Sequence, residues 1–171
     1  MDSRRRSFLR GRIAEAAAPQ ASVAQPPPWA LPPARFAERC DRCRACVQAC
    51  PQGVLKLGDG GFPEVDFSVR GCDFCGACEQ ACAPRALNRA AAQAAWPDWQ
   101  VRVAPHCLAL GRVECRVCAD ACDVRAIRFR PTPGGISQMQ LDPAACTACG
   151  QCLGVCPAGA LAMVQAATAL I

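Results

Sequence analysis

The chain has 171 residues with sixteen cysteines, but only nine Phe plus Trp and no Tyr. That length allows one ordinary domain or two very small ones, and so few bulky apolar side chains exclude a small unit held together by burial alone. A net charge of +5, with 18 of the 19 basic residues being Arg, would suit a nucleic-acid partner only if nothing bound to the chain changed it.

Taken in order, residues 1–35 read as a flexible basic and Ala/Pro-rich arm, with a short helix expected over 7–18. Arg5, Arg6, Phe8, Leu9 and Arg10 look like a twin-arginine signal. Arg12, Glu15 and the Pro26-Pro27-Pro28 run interrupt the apolar stretch that a cleavable signal requires. No segment approaches the ~18 apolar residues of a membrane span. A cytoplasmic protein without stable membrane insertion is expected, and in that compartment cysteines at above ~8–10% mean metal rather than disulfides.

From Cys40 onward the chain repeats itself. It carries four cysteine quartets: Cys40, Cys43, Cys46 and Cys50; Cys72, Cys75, Cys78 and Cys82; Cys107, Cys115, Cys118 and Cys122; Cys146, Cys149, Cys152 and Cys156. Between the first two, residues 54–57 and 62–67 flank the turn Gly58-Asp59-Gly60-Gly61 and predict a β-hairpin. Residues 127–130 and 136–141 predict a second hairpin around 131–135. Residues 87–104 read as a linker with an alanine-rich helical stretch ending at Trp96-Pro97, and Trp96 and Trp99 as packing residues between two units. The segments after the cysteine runs, 84–87 and 157–161, read as short helix starts with Pro near the first turn.

The run Cys-x2-Cys-x2-Cys-x3-Cys-Pro is a ligand pattern for cubane clusters. Tight loops of this kind need small residues between the ligands, so that N–H groups reach the cluster sulfurs; Ala45, Gly76, Ala77, Ala148 and Gly150 supply them. Tetrahedral zinc instead prefers two separated pairs. The fourth cysteine of such a run usually ligates the other cluster of its unit. The expected sets are therefore Cys40, Cys43, Cys46 and Cys82; Cys72, Cys75, Cys78 and Cys50; Cys107, Cys115, Cys118 and Cys156; Cys146, Cys149, Cys152 and Cys122. Four 4Fe-4S clusters are expected, or three if the irregular third quartet fails. There the first spacing widens to residues 108–114, and Asp123 stands where Pro is expected. Each cluster carries about −2 when oxidised, which turns the formal +5 into about −3 and removes the nucleic-acid reading.

The fold class expected is α+β: two tandem bacterial-ferredoxin-like units, 36–86 and 105–171, with short helices and β-hairpins, joined by the 87–104 linker and preceded by the arm. No nucleophile–base pair, phosphate loop or flavin fingerprint is present, so no catalytic residue is assigned and the chain is expected not to be an enzyme. His106 reads as a solvated or core histidine rather than a ligand, and Asp120 and Asp123 as surface or helix-end side chains.

The leader Ser-Arg-Arg-Arg-x-Phe-Leu-Arg-Gly at 3–11, two regular runs, the widened third run and a regular fourth run ending Cys156-Pro157 together resemble the ferredoxin-type NapF family. The resemblance spans nearly the whole chain apart from 14–34. It implies a cytoplasmic iron–sulfur accessory protein that acts on the molybdenum-containing catalytic subunit of periplasmic nitrate reductase before export, by supplying electrons or helping its iron–sulfur centre mature. The electron donor stays unidentified. The competing expectation is an electron-transfer subunit of another multi-subunit oxidoreductase.

Overall fold

Each cysteine run folds as an extended loop that ends in one helical turn, and the residues beyond that turn decide how the runs pack. The computed structural model describes residues 24–92, 94–132, 135 and 137–166. The helix expected over 7–18 lies outside the described residues.

The elements are α1 (Pro33–Arg39), α2 (Ala45–Ala49), β1 (Leu55–Leu57), β2 (Pro63–Val65), α3 (Ala77–Gln80), β3 (Trp99–Val103), α4 (Val117–Asp120), β4 (Ile127–Pro131), β5 (Ser137–Leu141), α5 (Gln151–Gly154) and β6 (Leu161–Gln165). The helices α2 to α5 have only four or five residues each. Helices this short do not persist in water without tertiary support.

Among the described residues the sheets are three antiparallel pairs. In β1–β2, Leu55 faces Val65 across a tight turn that contains Gly60 at φ 64°. In β4–β5, Ile127 faces Leu141. These two are the hairpins the alternating pattern predicts, and the tip residues 133, 134 and 136 of the second fall outside the described set. The third pair, β3–β6, runs from Trp99 opposite Gln165 to Val103 opposite Leu161. Its first strand lies in the segment read as a linker, so that segment is part of the second unit's sheet. Among the described residues, a single 3-10 turn, Arg89–Ala91, stands where an alanine-rich helix was expected. Asn88 caps it by accepting a hydrogen bond from the Ala91 N–H at 3.1 Å.

The expected helix starts at 84–87 and 157–161 are turns instead. The residue three after each run's last cysteine takes a left-handed conformation: Gly53 at φ 65°, Arg85 at 54°, Arg125 at 52° and Gly159 at 57°. Its N–H donates to that cysteine's carbonyl at 3.1, 3.0, 2.9 and 3.1 Å respectively. A left-handed residue at this point ends a turn and stops a helix from propagating.

Residues 24–31, read as part of the arm, are built into the core. Trp29 is 5% exposed, and Pro27 and Pro28 are among the most deeply buried side chains. This strap is tied to three other segments. Val65 N–H donates to Gln25 O at 2.9 Å, Trp29 N–H to Ala95 O at 3.0 Å and Leu31 N–H to Ala86 O at 3.0 Å. The Trp96 indole N–H donates to Pro26 O at 2.8 Å. Pro26, Pro27 and Pro28 themselves lack N–H donors and suit a position where the Pro26 carbonyl accepts from a neighbour.

The larger apolar core joins Trp29, Phe36, Leu55, Phe67, Trp96 and Trp99 and reaches Ala148 of the last cysteine run. Edge-on ring contacts tie Phe67 to Trp96 at 5.7 Å and Trp29 to Phe74 at 6.5 Å. A smaller core of Val101, Ile127 and Leu161 packs around Cys118 and Cys152. The fold is α+β and consists of tandem ferredoxin-like units with one core shared across their seam.

Candidate metal centres

Within each run the third cysteine sits in the one-turn helix and is buried: Cys46, Cys78, Cys118 and Cys152 are 7–9% exposed. Cys43 and Cys75, the second cysteines of the first two runs, are exposed. None of the sixteen cysteines is in a disulfide.

Two left-handed residues bend each regular loop around its cavity. The one before the second cysteine is Arg42, Phe74 or Ala148, at φ 59°, 58° and 56°. The one after it caps the helix: Arg44 at 67°, Gly76 at 81° and Gly150 at 78°. The third run has neither. Its helix cap, Arg116, is at φ −128°, and the widened segment instead closes on itself. Gly111 N–H donates to Cys107 O at 2.9 Å and Val113 N–H to Leu108 O at 2.9 Å.

The sulfurs come together in sets that mix the two runs of a unit. Cys50, Cys72, Cys75 and Cys78 line one cavity. Cys122, Cys146, Cys149 and Cys152 line another. Cys107, Cys115, Cys118 and Cys156 line a third. Around the first run, the sulfurs acting on Cys46 are those of Cys82, Cys40 and Cys43. In each set the last cysteine comes from the other run. His106, Asp120 and Asp123 are exposed and line none of the three cavities.

Burial pushes the inner thiols up, and the neighbouring sulfurs add to it. Cys46 and Cys118 rise to about 11 and Cys152 to about 12. Cys72 rises to about 11 and Cys78 to about 12, again chiefly through burial. Such clustered, partly buried thiols cannot all ionise without a compensating cation. Backbone donors are already aimed at sulfur: Phe74 N–H at Cys72 (3.4 Å), Ala126 N–H at Cys122 (3.2 Å) and Ala160 N–H at Cys156 (3.3 Å). The last two arise from the left-handed turn after the run, which exposes the next N–H to the ligand.

No group of three or more His, Cys, Asp or Glu among the described residues converges as it would on one metal ion. A cube presents its iron atoms at separate corners, so the thiolates that hold it stand apart around a cavity, as these do. The donor set therefore fits 4Fe-4S clusters.

Sequence reading missed the left-handed pairs and the seam glycines Gly71 and Gly154. A Gly immediately before a run, as in Gly71-Cys72, was the available signal for close backbone approach. No helix among the described residues is long and apolar enough to cross a membrane.

The 4Fe-4S dicluster domain family matches residues 39–86 and 112–160. The second match begins after Cys107, the ligand candidate displaced by the widened spacing. The chain is similar to the ferredoxin-type protein NapF of Escherichia coli strain K12, with 42% identity over 161 residues, 94% of each chain. It is 42% identical over 164 residues to the ferredoxin-type protein NapF of Haemophilus influenzae, 93% of this chain and 92% of that one. A subunit of the ion-translocating oxidoreductase complex of Methanosarcina acetivorans is 38% identical over 120 residues, 68% of this chain and 43% of that one.

Proposed function

The chain belongs to the ferredoxin-type NapF family and carries multiple 4Fe-4S clusters, and from that premise we propose that it is a cytoplasmic accessory protein that serves a molybdenum enzyme before export. The enzyme would be the catalytic subunit of periplasmic nitrate reductase, and the service electron supply or help in maturing its iron–sulfur centre. The observation that carries this reading is the meeting of thiols from paired runs around shared cavities.

Four ligand sets are proposed: Cys40, Cys43, Cys46 and Cys82; Cys50, Cys72, Cys75 and Cys78; Cys107, Cys115, Cys118 and Cys156; Cys122, Cys146, Cys149 and Cys152. Bound clusters supply one-electron storage at potentials set by charge, burial and hydrogen bonds to sulfur. The protein's part is to surrender the thiol protons on loading, aim Ala126 and Ala160 N–H at ligand sulfurs, and keep the inner ligands dry. The first unit, 36–86, and the second, which takes in β3 of the former linker, would each hold two clusters. Arg4, Arg5 and Arg6 would give the acidic loaded body a basic docking arm, and reversing their charge would then weaken partner binding at low salt.

Anaerobic iron and sulfide analysis with electron paramagnetic resonance tests the ligand sets. About 16 iron atoms per chain are expected, and about 12 would show that the third set fails. A folded, colourless, iron-free protein prepared with iron present would overturn the reading. The role itself is tested by co-purification: binding to the unexported catalytic precursor but not to the mature enzyme is expected. The similarity to a component of an oxidoreductase complex favours a second reading, electron transfer within a stable complex. Stoichiometric membership of an active complex would establish that reading instead.

A further inference from the structure

The two units meet main chain to main chain at one seam. Cys72 N–H donates to Cys149 O at 2.7 Å, and Gly71 N–H donates to the Gln151 side-chain oxygen at 3.3 Å. A Cβ on Gly71 would stand 2.5 Å from Gln151 N and 2.7 Å from Cys149 O, and one on Gly154 would stand 2.7 Å from Val69 O. One on Gly150 would strike the Phe67 ring. Three glycines thus bring residues 67–72 and 149–154 closer than side chains permit.

Cys72 and Cys149 line different cavities, one in each unit. Resting on the electron-handling reading above, we propose that their hydrogen bond is the electronic bridge between the units, making the four sites one line. The order is the Cys46 set, the Cys72 set, the Cys149 set and the Cys118 set. Electron transfer weakens steeply across non-bonded gaps, and here the only break between the two cysteine residues is one short hydrogen bond. Inside each unit the sites are already neighbours: the one-turn helices that carry Cys46 and Cys78 pack against each other, as do those that carry Cys118 and Cys152. In the step across the seam one electron leaves the Cys72 site, which is oxidised, and enters the Cys149 site, which is reduced. No bond breaks and no proton is needed. The line runs equally in reverse, and its two ends are the Cys46 and Cys118 sites.

The test uses the full, anaerobically loaded chain, given one electron by flash-photoreduced deazaflavin, with the relaxation between sites followed optically. Gly71→Val must push the Gln151 and Cys149 backbone away. It is expected to keep the wild-type iron content and the magnetic interaction within each unit, while relaxation between units slows by about tenfold to a hundredfold, as for a small misplacement of reacting groups. Trp96→Phe, which trims the aromatic contact at the seam, is expected to leave the relaxation unchanged. If Gly71→Val fails to load, Gly154→Ala carries the same expectation, with faster hydrogen exchange at the Cys72 amide reporting the loosened bond. An unchanged relaxation in a loaded variant whose Cys72 amide exchanges freely would overturn the bridge, as would equal slowing by Trp96→Phe. A wild-type chain that accepts no electron at all would instead sink the electron-handling reading, so the two failures are distinct.

Discussion

The three regular cysteine runs and the widened third run reach the same end by different backbones. Runs one, two and four place left-handed residues on both sides of the second cysteine, whereas the third uses neither and closes residues 108–113 with its own hydrogen bonds. All four keep the one-turn helix and the left-handed turn after the last cysteine. The difference teaches that the two halves of such a loop are separable. The half that carries the third and fourth cysteines has a fixed geometry, while the half that delivers the first can be rebuilt if it still reaches the cavity. Rebuilding has a surface cost: Leu110, Val113 and Val117 are 50%, 52% and 43% exposed around the third run.

The contrast is broken most severely by removing ligands. Cys152→Ala is expected to lose about four iron atoms and several kcal/mol of stability, because a loaded site is also a folding constraint. Cys107→Ala should lose no more iron than that and leave the remaining sites and the melting transition of the first unit intact. Iron analysis with thermal unfolding checks both, and equal collapse of the two variants would erase the distinction.

Glycine substitutions sharpen it at intermediate size. Gly150→Ala meets the Phe67 ring from a left-handed position and is expected to cost about 2–4 kcal/mol by strain and overpacking together. Gly111→Ala finds its nearest neighbour at 3.4 Å and should stay within about 0.5 kcal/mol. Urea unfolding of the loaded proteins measures the difference. The arginines at the helix caps come next. Arg44→Gly relieves a left-handed side chain and should be neutral or stabilising by up to about 1 kcal/mol. Arg116→Gly loses an ion pair to Glu114 at 2.7 Å and a stack on Phe129 at 5.9 Å, and should destabilise by about 1–2 kcal/mol in the same assay.

Acidity should separate the runs least. In the metal-free fold the inner thiols sit at about 11 to about 12 in both regular and widened runs, so they are protonated at neutral pH. Loading expels those protons and is therefore favoured by rising pH, with affinity falling by about tenfold or more per unit as pH drops from about 8 to 6. Iron titrations at the two values should show the same slope at every site. In the metal-free protein the sign reverses. The stability contributed by neutral buried thiols is complete below the unfolded value near 9.0 and disappears as pH rises through about 11 to about 12.

Much of this was legible in the residues because cysteine spacing is local. The quartets, the hairpins around Gly58-Asp59-Gly60-Gly61 and 131–135, and the irregularity at 108–114 all lie within a few positions of their cause. The missed elements depend on distant partners. β3 pairs with β6 across some sixty residues of chain, and neither strand has a turn beside it to announce the pairing. Pro157 suggested a helix start, but the left-handed Gly159 turns the chain into β6. The proline-rich strap looked like solvent-exposed arm because its burial is supplied by Trp96 and Phe74, which the local pattern does not reveal.

That strap also fixes where the basic leader is attached. Ala24 and Gln25 line an open groove together with Lys56, Phe67, Leu153, Leu161 and Met163. Because the strap enters the fold there, a change that pulls Ala24 or Gln25 out of place disturbs side chains from both pairs of cysteine runs at once.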